Sequence, residues 1–247
     1  MTNLTPITRQ HFQHKFWHKP QTFSFASKRA LVPVSVAELP MAVKHLPLTF
    51  ARYGDSYVLV ALLSYAPNKN LFVSADGKWL GGYIPAEFRS YPFSLNKAAD
   101  GSRMVFCVNE DSGLVSEQSG EPFLDHSGEL SGPAKEMFDF CRKHHQNRNL
   151  TDQLTSSLAR AGVITEWNLK TSDGYIPGLY KVDEPALKSL DDTEFLKLRQ
   201  ALPMAYAQLL SMSNVQLFPR LAGMQPREEP DLENMEELDI DWDKIKI

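Results

Sequence analysis

The sequence predicts an α+β fold: an antiparallel sheet of about five to seven short strands in the N-terminal half, with helices mainly from the C-terminal half. Three observations carry that expectation. Between Ala30 and Asn109, short apolar, β-branched or aromatic runs alternate with tight turn signals. The gaps between these runs are too short for parallel crossovers, which need a dozen or more residues. From about Pro133 the apolar residues recur at helical spacing instead.

In chain order, Ala30 to Val34 reads as a strand, and Ser35-Val36-Ala37-Glu38 has the S-x-x-E form that caps a first helical turn, here of a short helix to about His45. Leu46 to Tyr53 and Tyr57 to Tyr65 form a hairpin across Gly54-Asp55. Leu71 to Ser74 and Trp79 to Ile84 form a second across Ala75-Asp76-Gly77. Pro85 suits the first turn of a short helix to Ser90. Strands follow at Tyr91 to Leu95 and Arg103 to Asn109, paired across Asp100-Gly101. Helical spacing covers Pro133 to Gln146, Asp152 to Arg160, Pro185 to Leu190, Thr193 to Ala201 (capped around Asp191) and Met204 to Ser211. Val163 to Leu169 and Gly178 to Val182, either side of Ser172-Asp173-Gly174, are strands that return a hairpin to the main sheet.

With 247 residues and 43% hydrophobic content, the chain can bury a substantial core. Cys107 and Cys141 lack any C-x-x-C partner and read as buried thiols, not as a disulfide or zinc site. Arg9, His11, His14, Lys15, His18 and Lys19 interrupt every window that would serve as a signal peptide. The longest apolar run, Tyr57 to Leu63, is far short of the roughly 20 residues of a membrane span. A soluble, cytoplasmic protein without a membrane span is expected.

Net charge is −4, unevenly spread. Residues 1 to 30 carry five Lys or Arg and no acid, whereas residues 226 to 247 carry nine acids and three bases, which leaves the rest near +2. The chain thus divides into a basic segment 1–29, one α+β domain 30–225 and an acidic tail 226–247. A near-neutral body without a helix-turn-helix, RNP-like or zinc-finger pattern argues against nucleic acid as a partner. In the tail, Leu238, Ile240 and Trp242 stand among acids, a pattern suited to docking either on a partner or on the chain's own domain.

Catalytic templates are missing. G-x-S-x-G, both phosphate-binding glycine patterns and H-E-x-x-H do not occur. His11, His14 and His18 would share one helical face, but their basic, Pro-terminated setting suits exposed or edge-packing residues, so no metal and no cofactor is expected. His144 and His145 close the helix predicted to end at Gln146, where positive charge complements the dipole. Asp76 suits a turn. The candidate binding surface comprises Arg52, Tyr53, Asp55, Tyr57, Trp79, Tyr83, Arg89 and Tyr91, since Arg, Tyr and Trp combine contact area with a polar handle. Trp79 also suits the core.

Several blocks carry a family resemblance: R-Y-x-D-S-Y at Arg52 to Tyr57, N-L-F-V at Asn70 to Val73, D-G-x-W at Asp76 to Trp79, Y-I-P-A at Tyr83 to Ala86 and R-S-Y-P-F at Arg89 to Phe93. Val105 to Leu114, Glu121 to Leu124 with Gly128, Gly178 to Glu184 and Ala205 to Met212 extend it. Over about residues 30 to 222 the chain resembles the SapC family. The resemblance implies a Gram-negative bacterial protein whose relatives are named for association with a surface layer. Their genes often neighbour flavin-dependent tryptophan halogenase-like enzymes and outer-membrane receptors. It brings no catalytic residues to transfer, and a chain without a membrane span does not suit the transporter label that some relatives bear.

Residues and resemblance together lead to the expectation of a non-catalytic accessory or interaction protein that assists a neighbouring enzyme or a surface-associated uptake or assembly system, with a protein as partner. The alternative is an enzyme or small-molecule-binding domain with a pocket between the sheet and the C-terminal helices. A deep pocket with convergent polar groups would favour the alternative; a flat aromatic face would favour the first.

Overall fold

The computed structural model describes residues 4–98, 101, 103–171 and 174–225. The Gly54-Asp55 turn does what its residues dictate: Gly54 takes a positive φ of 59°, and Leu48–Tyr53 folds back on Ser56–Leu62 with Tyr53 opposite Ser56. Leu31–Pro33 pairs with the free edge of Ser56–Leu62, and Leu179–Val182 pairs with the other side of Leu48–Tyr53. Ile164–Glu166 completes an antiparallel sheet of five strands. The predicted return of the late hairpin to the main sheet is therefore observed, although Ser172 and Asp173 of its turn lie outside the described residues.

A second antiparallel sheet holds Leu4–Pro6, Met104–Asn109 and Phe93–Lys97, the last two joined through the turn predicted at Asp100-Gly101, of which Asp100 is outside the described residues. A third is a small sheet in which Phe16–Trp17 lies between Val115–Ser116 and Glu121–Pro122. Residues read as a basic head by charge thus supply strands to two sheets. The reason is the apolar residues between the charges: Phe12 and Trp17 are buried with Phe93, Phe106, Val108 and Phe123 in a core of their own. The larger core lies on the five-stranded sheet and includes Leu46, Phe50, Leu59, Phe72, Leu158 and Phe218.

One helix serves both cores. Ser131 caps it by accepting the Ala134 N–H, Pro133 occupies its first turn, and it runs from Gly132 to Arg160, about 43 Å at 1.5 Å per residue. Its first half sets Cys141, Met137 and Phe138 against the smaller core, and its second half sets Leu158 and Leu154 against the larger one. The break expected between Gln146 and Asp152 is absent. No glycine or proline stands there, the Thr151 hydroxyl donates to the Asn147 carbonyl at 2.6 Å, and it accepts the Val36 N–H at 2.9 Å. His144 and His145 consequently sit in mid-helix, not at a C-terminus, and the dipole reading of them is withdrawn.

The second predicted hairpin is reduced to one bridge between Val73 and Trp79. Beyond it, at Gly81 and Gly82, the chain runs so close to neighbouring rings that a Cβ would fall 2.8 Å from Phe72 and 2.5 Å from His45 respectively. The capping box of Ser35 and Glu38 forms as read. His11 alone of the three early histidines lies in the short helix Arg9–Phe12, so the three share no helical face. The tail residues Leu238, Ile240 and Trp242 lie outside the described residues.

Candidate functional site

Where the long helix passes from one core to the other, its face changes from apolar to polar. Cys141, His144, His145, Arg148, Asn149 and Asp152 follow helical spacing and line one side of a cleft of about 630 Å³. The opposite side comes from Phe25, Arg29, Pro33, Glu87, Phe88, the segment Ser90 to Asn96, and Asn109. This volume is within the usual range for small-molecule sites. Phe25 and Tyr91 stack parallel, 3.8 Å apart, and give the cleft a flat wall.

Beneath the cleft stands Glu38, a buried carboxylate. One oxygen, Oε2, accepts the Ser35 N–H and the Ser35 hydroxyl, both at 2.8 Å. The other, Oε1, accepts the Tyr83 hydroxyl at 3.0 Å and the Ala86 N–H at 2.7 Å. Four donors thus occupy the carboxylate's four lone-pair positions. His144 presents Nδ1 to the same group at 4.0 Å, too far for a hydrogen bond, and that nitrogen is buried without another partner. Burial lowers the pKa of His144, and the positive charges of Arg148 and Arg89 act with it against the carboxylates of Glu38 and Glu87. The balance favours the neutral imidazole.

Arg89 buttresses this arrangement from the side. Its guanidinium donates to the Tyr83 hydroxyl and to the Ile84 carbonyl, each at 3.1 Å, and lies 5.1 Å from the centre of the Phe140 ring on the long helix. Burial and the nearby Glu38 charge push the Tyr83 hydroxyl up to about 12. Burial also raises Tyr91, and it pushes the Cys141 thiol up to about 12.

The eight residues of the sequence-derived surface are divided among four places. Tyr83, Arg89 and Tyr91 are at or under the cleft. Arg52, Tyr53 and Asp55 form the exposed tip of the first hairpin, where Arg52 Nε donates to the Gly54 carbonyl and Tyr53 is 83% exposed. Tyr57 packs edge-on against Tyr180 on the sheet. Trp79 stacks on Phe72 at the margin of the larger core and donates its indole N–H to the Tyr83 carbonyl at 2.9 Å, so it holds the cleft's support in place without lining it.

Sequence reasoning missed His144, Arg148 and Asn149 as site residues, and missed the long-range part of Glu38. The signal for the first three was the polar stripe at positions 141, 144, 145, 148, 149 and 152, hidden by the expected helix break. Among the described residues no helix is long and apolar enough to cross a membrane, and no group of three or more His, Cys, Asp or Glu converges as metal ligands do.

Comparison with curated proteins and with solved structures gives no match. A family model does match, under the description SapC, and its span from residue 7 to residue 217 takes in the helix Arg9–Phe12, the five-stranded sheet, the strands Phe93–Lys97 and Met104–Asn109 and the whole of the long helix. With most of its length matched by that model, the chain belongs to the SapC family.

Proposed function

We propose that the chain is a non-catalytic binding protein whose cleft between the long helix and the strand Phe93–Lys97 takes up a small ligand, and that it serves as an accessory to a neighbouring enzyme or to a surface-associated uptake or assembly system. The observation that carries this reading is the convergence of aromatic walls and polar side chains from separate segments on one cleft of about 630 Å³. The nucleophile-bearing side chains there are not activated. The Ser90 hydroxyl donates to the Glu87 carbonyl, the Ser94 hydroxyl accepts from Asn96, and Cys141 is held as a thiol by burial. Native mass spectrometry of the full chain purified from its source tests the reading. A small molecule retained by the wild type and lost in a cleft-filling Ser94→Phe variant is the expected result; a ligand-free wild type overturns it.

A second reading, docking of a protein partner, is favoured by the hairpin tip, where Tyr53 stands in solvent between Arg52 and Asp55. The acidic tail with Leu238, Ile240 and Trp242 would add a second contact. Co-purification with Tyr53→Ser, and with a chain ended after Gln225, tests this reading: the partner is lost in one or both variants, or the reading fails.

A further inference from the structure

We infer that the cleft is built for an uncharged ligand, a molecule with a flat apolar ring that carries amide or hydroxyl groups and donates a hydrogen bond to His144. The inference rests on the cleft being a binding site and specifies what it binds.

Charge in the cleft is already cancelled. Arg29 holds Glu87 at 2.7 Å, and Arg148 holds Asp152 at 3.3 Å. Arg148 is further committed to backbone, donating to the Val34 carbonyl at 3.0 Å and the Leu59 carbonyl at 3.4 Å. A site for a carboxylate or phosphate needs a guanidinium whose fork is open to the ligand. Arg148 has its fork engaged, and Arg29 already gives one amino group to Glu87, so at either one an anion would have to compete with a carboxylate. A cation meets the mirror image of the problem, since Glu87 and Asp152 are the paired acids. A charged ligand would give up its hydration without an opposite charge to replace it.

What is left to recognise a ligand is neutral. Asn96, Asn109 and Asn149 line the walls, and Phe88, Phe93 and Leu95 add apolar lining beside Phe25 and Tyr91. His144 supplies the hydrogen-bond acceptor. The Glu38 carboxylate, 4.0 Å from Nδ1, favours the proton on that nitrogen and leaves Nε2 with the lone pair. The depressed pKa of the ring keeps that lone pair available at neutral pH.

Saturation-transfer NMR on the full chain at pH 7.5 tests this with matched probes: N-acetyltyrosinamide against N-acetyltyrosine, and benzamide against benzoate and benzylamine. The expected result is that the neutral member of each set binds about tenfold or more tightly than its charged counterparts, and that Ser94→Phe and Asn149→Trp, which fill the cleft from opposite walls, each remove the signal. Charged probes that bind equally well or better, and are likewise displaced by the filling variants, overturn the inference and leave the cleft a binding site. Absence of binding by every probe, or binding unaffected by both variants, overturns the inference together with the reading on which it rests.

Discussion

The Tyr83 hydroxyl and the Glu38 carboxylate meet at 3.0 Å across 45 residues of sequence. The contact turns a local helix cap into a tertiary anchor, because the same carboxylate that accepts the Ser35 N–H also accepts the Ala86 N–H at the start of the helix Ala86–Arg89. The segment that forms one side of the cleft is thereby tied to the turn that leads out of the edge strand Leu31–Pro33.

Replacing Glu38 with Gln turns an amide nitrogen toward donors that now find an acceptor. Urea denaturation should show a loss of about 2–3 kcal/mol, in line with stranding a buried donor pair. Tyr83→Phe removes one of the four bonds and should cost about 1 kcal/mol. Equal losses in the two variants would mean that the Tyr83 contact alone matters.

Glu110 makes a prediction about acid. Burial alone would raise its pKa, but donation from Lys15 at 2.8 Å, Thr5 at 2.8 Å and the His11 ring at 2.9 Å holds it at about 2, against an ordinary 4.5. Because the folded-state pKa is the lower one, this stabilisation is fully present above about pH 4.5 and is lost as pH falls toward 2. Glu110→Gln should lower stability at pH 7 by about 2 kcal/mol and flatten the acid limb of a stability–pH curve. An acid limb unchanged from wild type would show that Lys15 and His11 do not favour the ionised form in the folded state.

Gln208 predicts a loss that its position in a helix conceals. Wholly buried, its amide accepts the Val182 N–H at 2.9 Å and donates to the Leu48 carbonyl at 3.1 Å, so it completes the hydrogen bonding of two neighbouring strands from the helix Leu202–Ser211. Gln208→Met keeps the volume but strands both backbone groups, and should cost about 2–4 kcal/mol by chemical denaturation. A cost below about 1 kcal/mol would mean that the strand ends close on each other instead.

The strands were legible because period-two patterning and turn residues are local signals, and the same holds for the box of Ser35 and Glu38. The cleft was not legible, since its walls are drawn from residues as far apart as Leu4 and Asp152 and no spacing rule links them. Asn147, Asn149 and Thr151 are weak helix formers in the gap left between the two predicted helices; Thr151, fully buried against Val36, shows packing overriding propensity. In the first thirty residues the basic charge was conspicuous, whereas the decisive fact was the burial of Phe12 and Trp17. Tyr83, Arg89 and Tyr91 were singled out from their residue types, but their common neighbourhood came from Glu38, which sequence read only as a cap.

His144 gives the last prediction. Every charged group that acts on it has a known direction: Glu38 and Glu87 favour its protonation, Arg148 and Arg89 oppose it, and burial, the largest influence, opposes it too, so its pKa lies below the ordinary 6.5. The unfolded chain therefore takes up a proton on this residue before the folded chain does. Stability is independent of His144 well above pH 6.5 and falls as pH drops below 6.5, until the folded-state ring also protonates. His144→Gln cannot titrate and should show a smaller drop in stability between pH 7.5 and pH 5.5 than the wild type, when both are followed by urea denaturation. The other histidines contribute equally to both proteins, so the difference isolates this one. A drop of the same size in both proteins would show that the folded chain protonates His144 as readily as the unfolded one, and would place an imidazolium, not a neutral ring, beside Glu38.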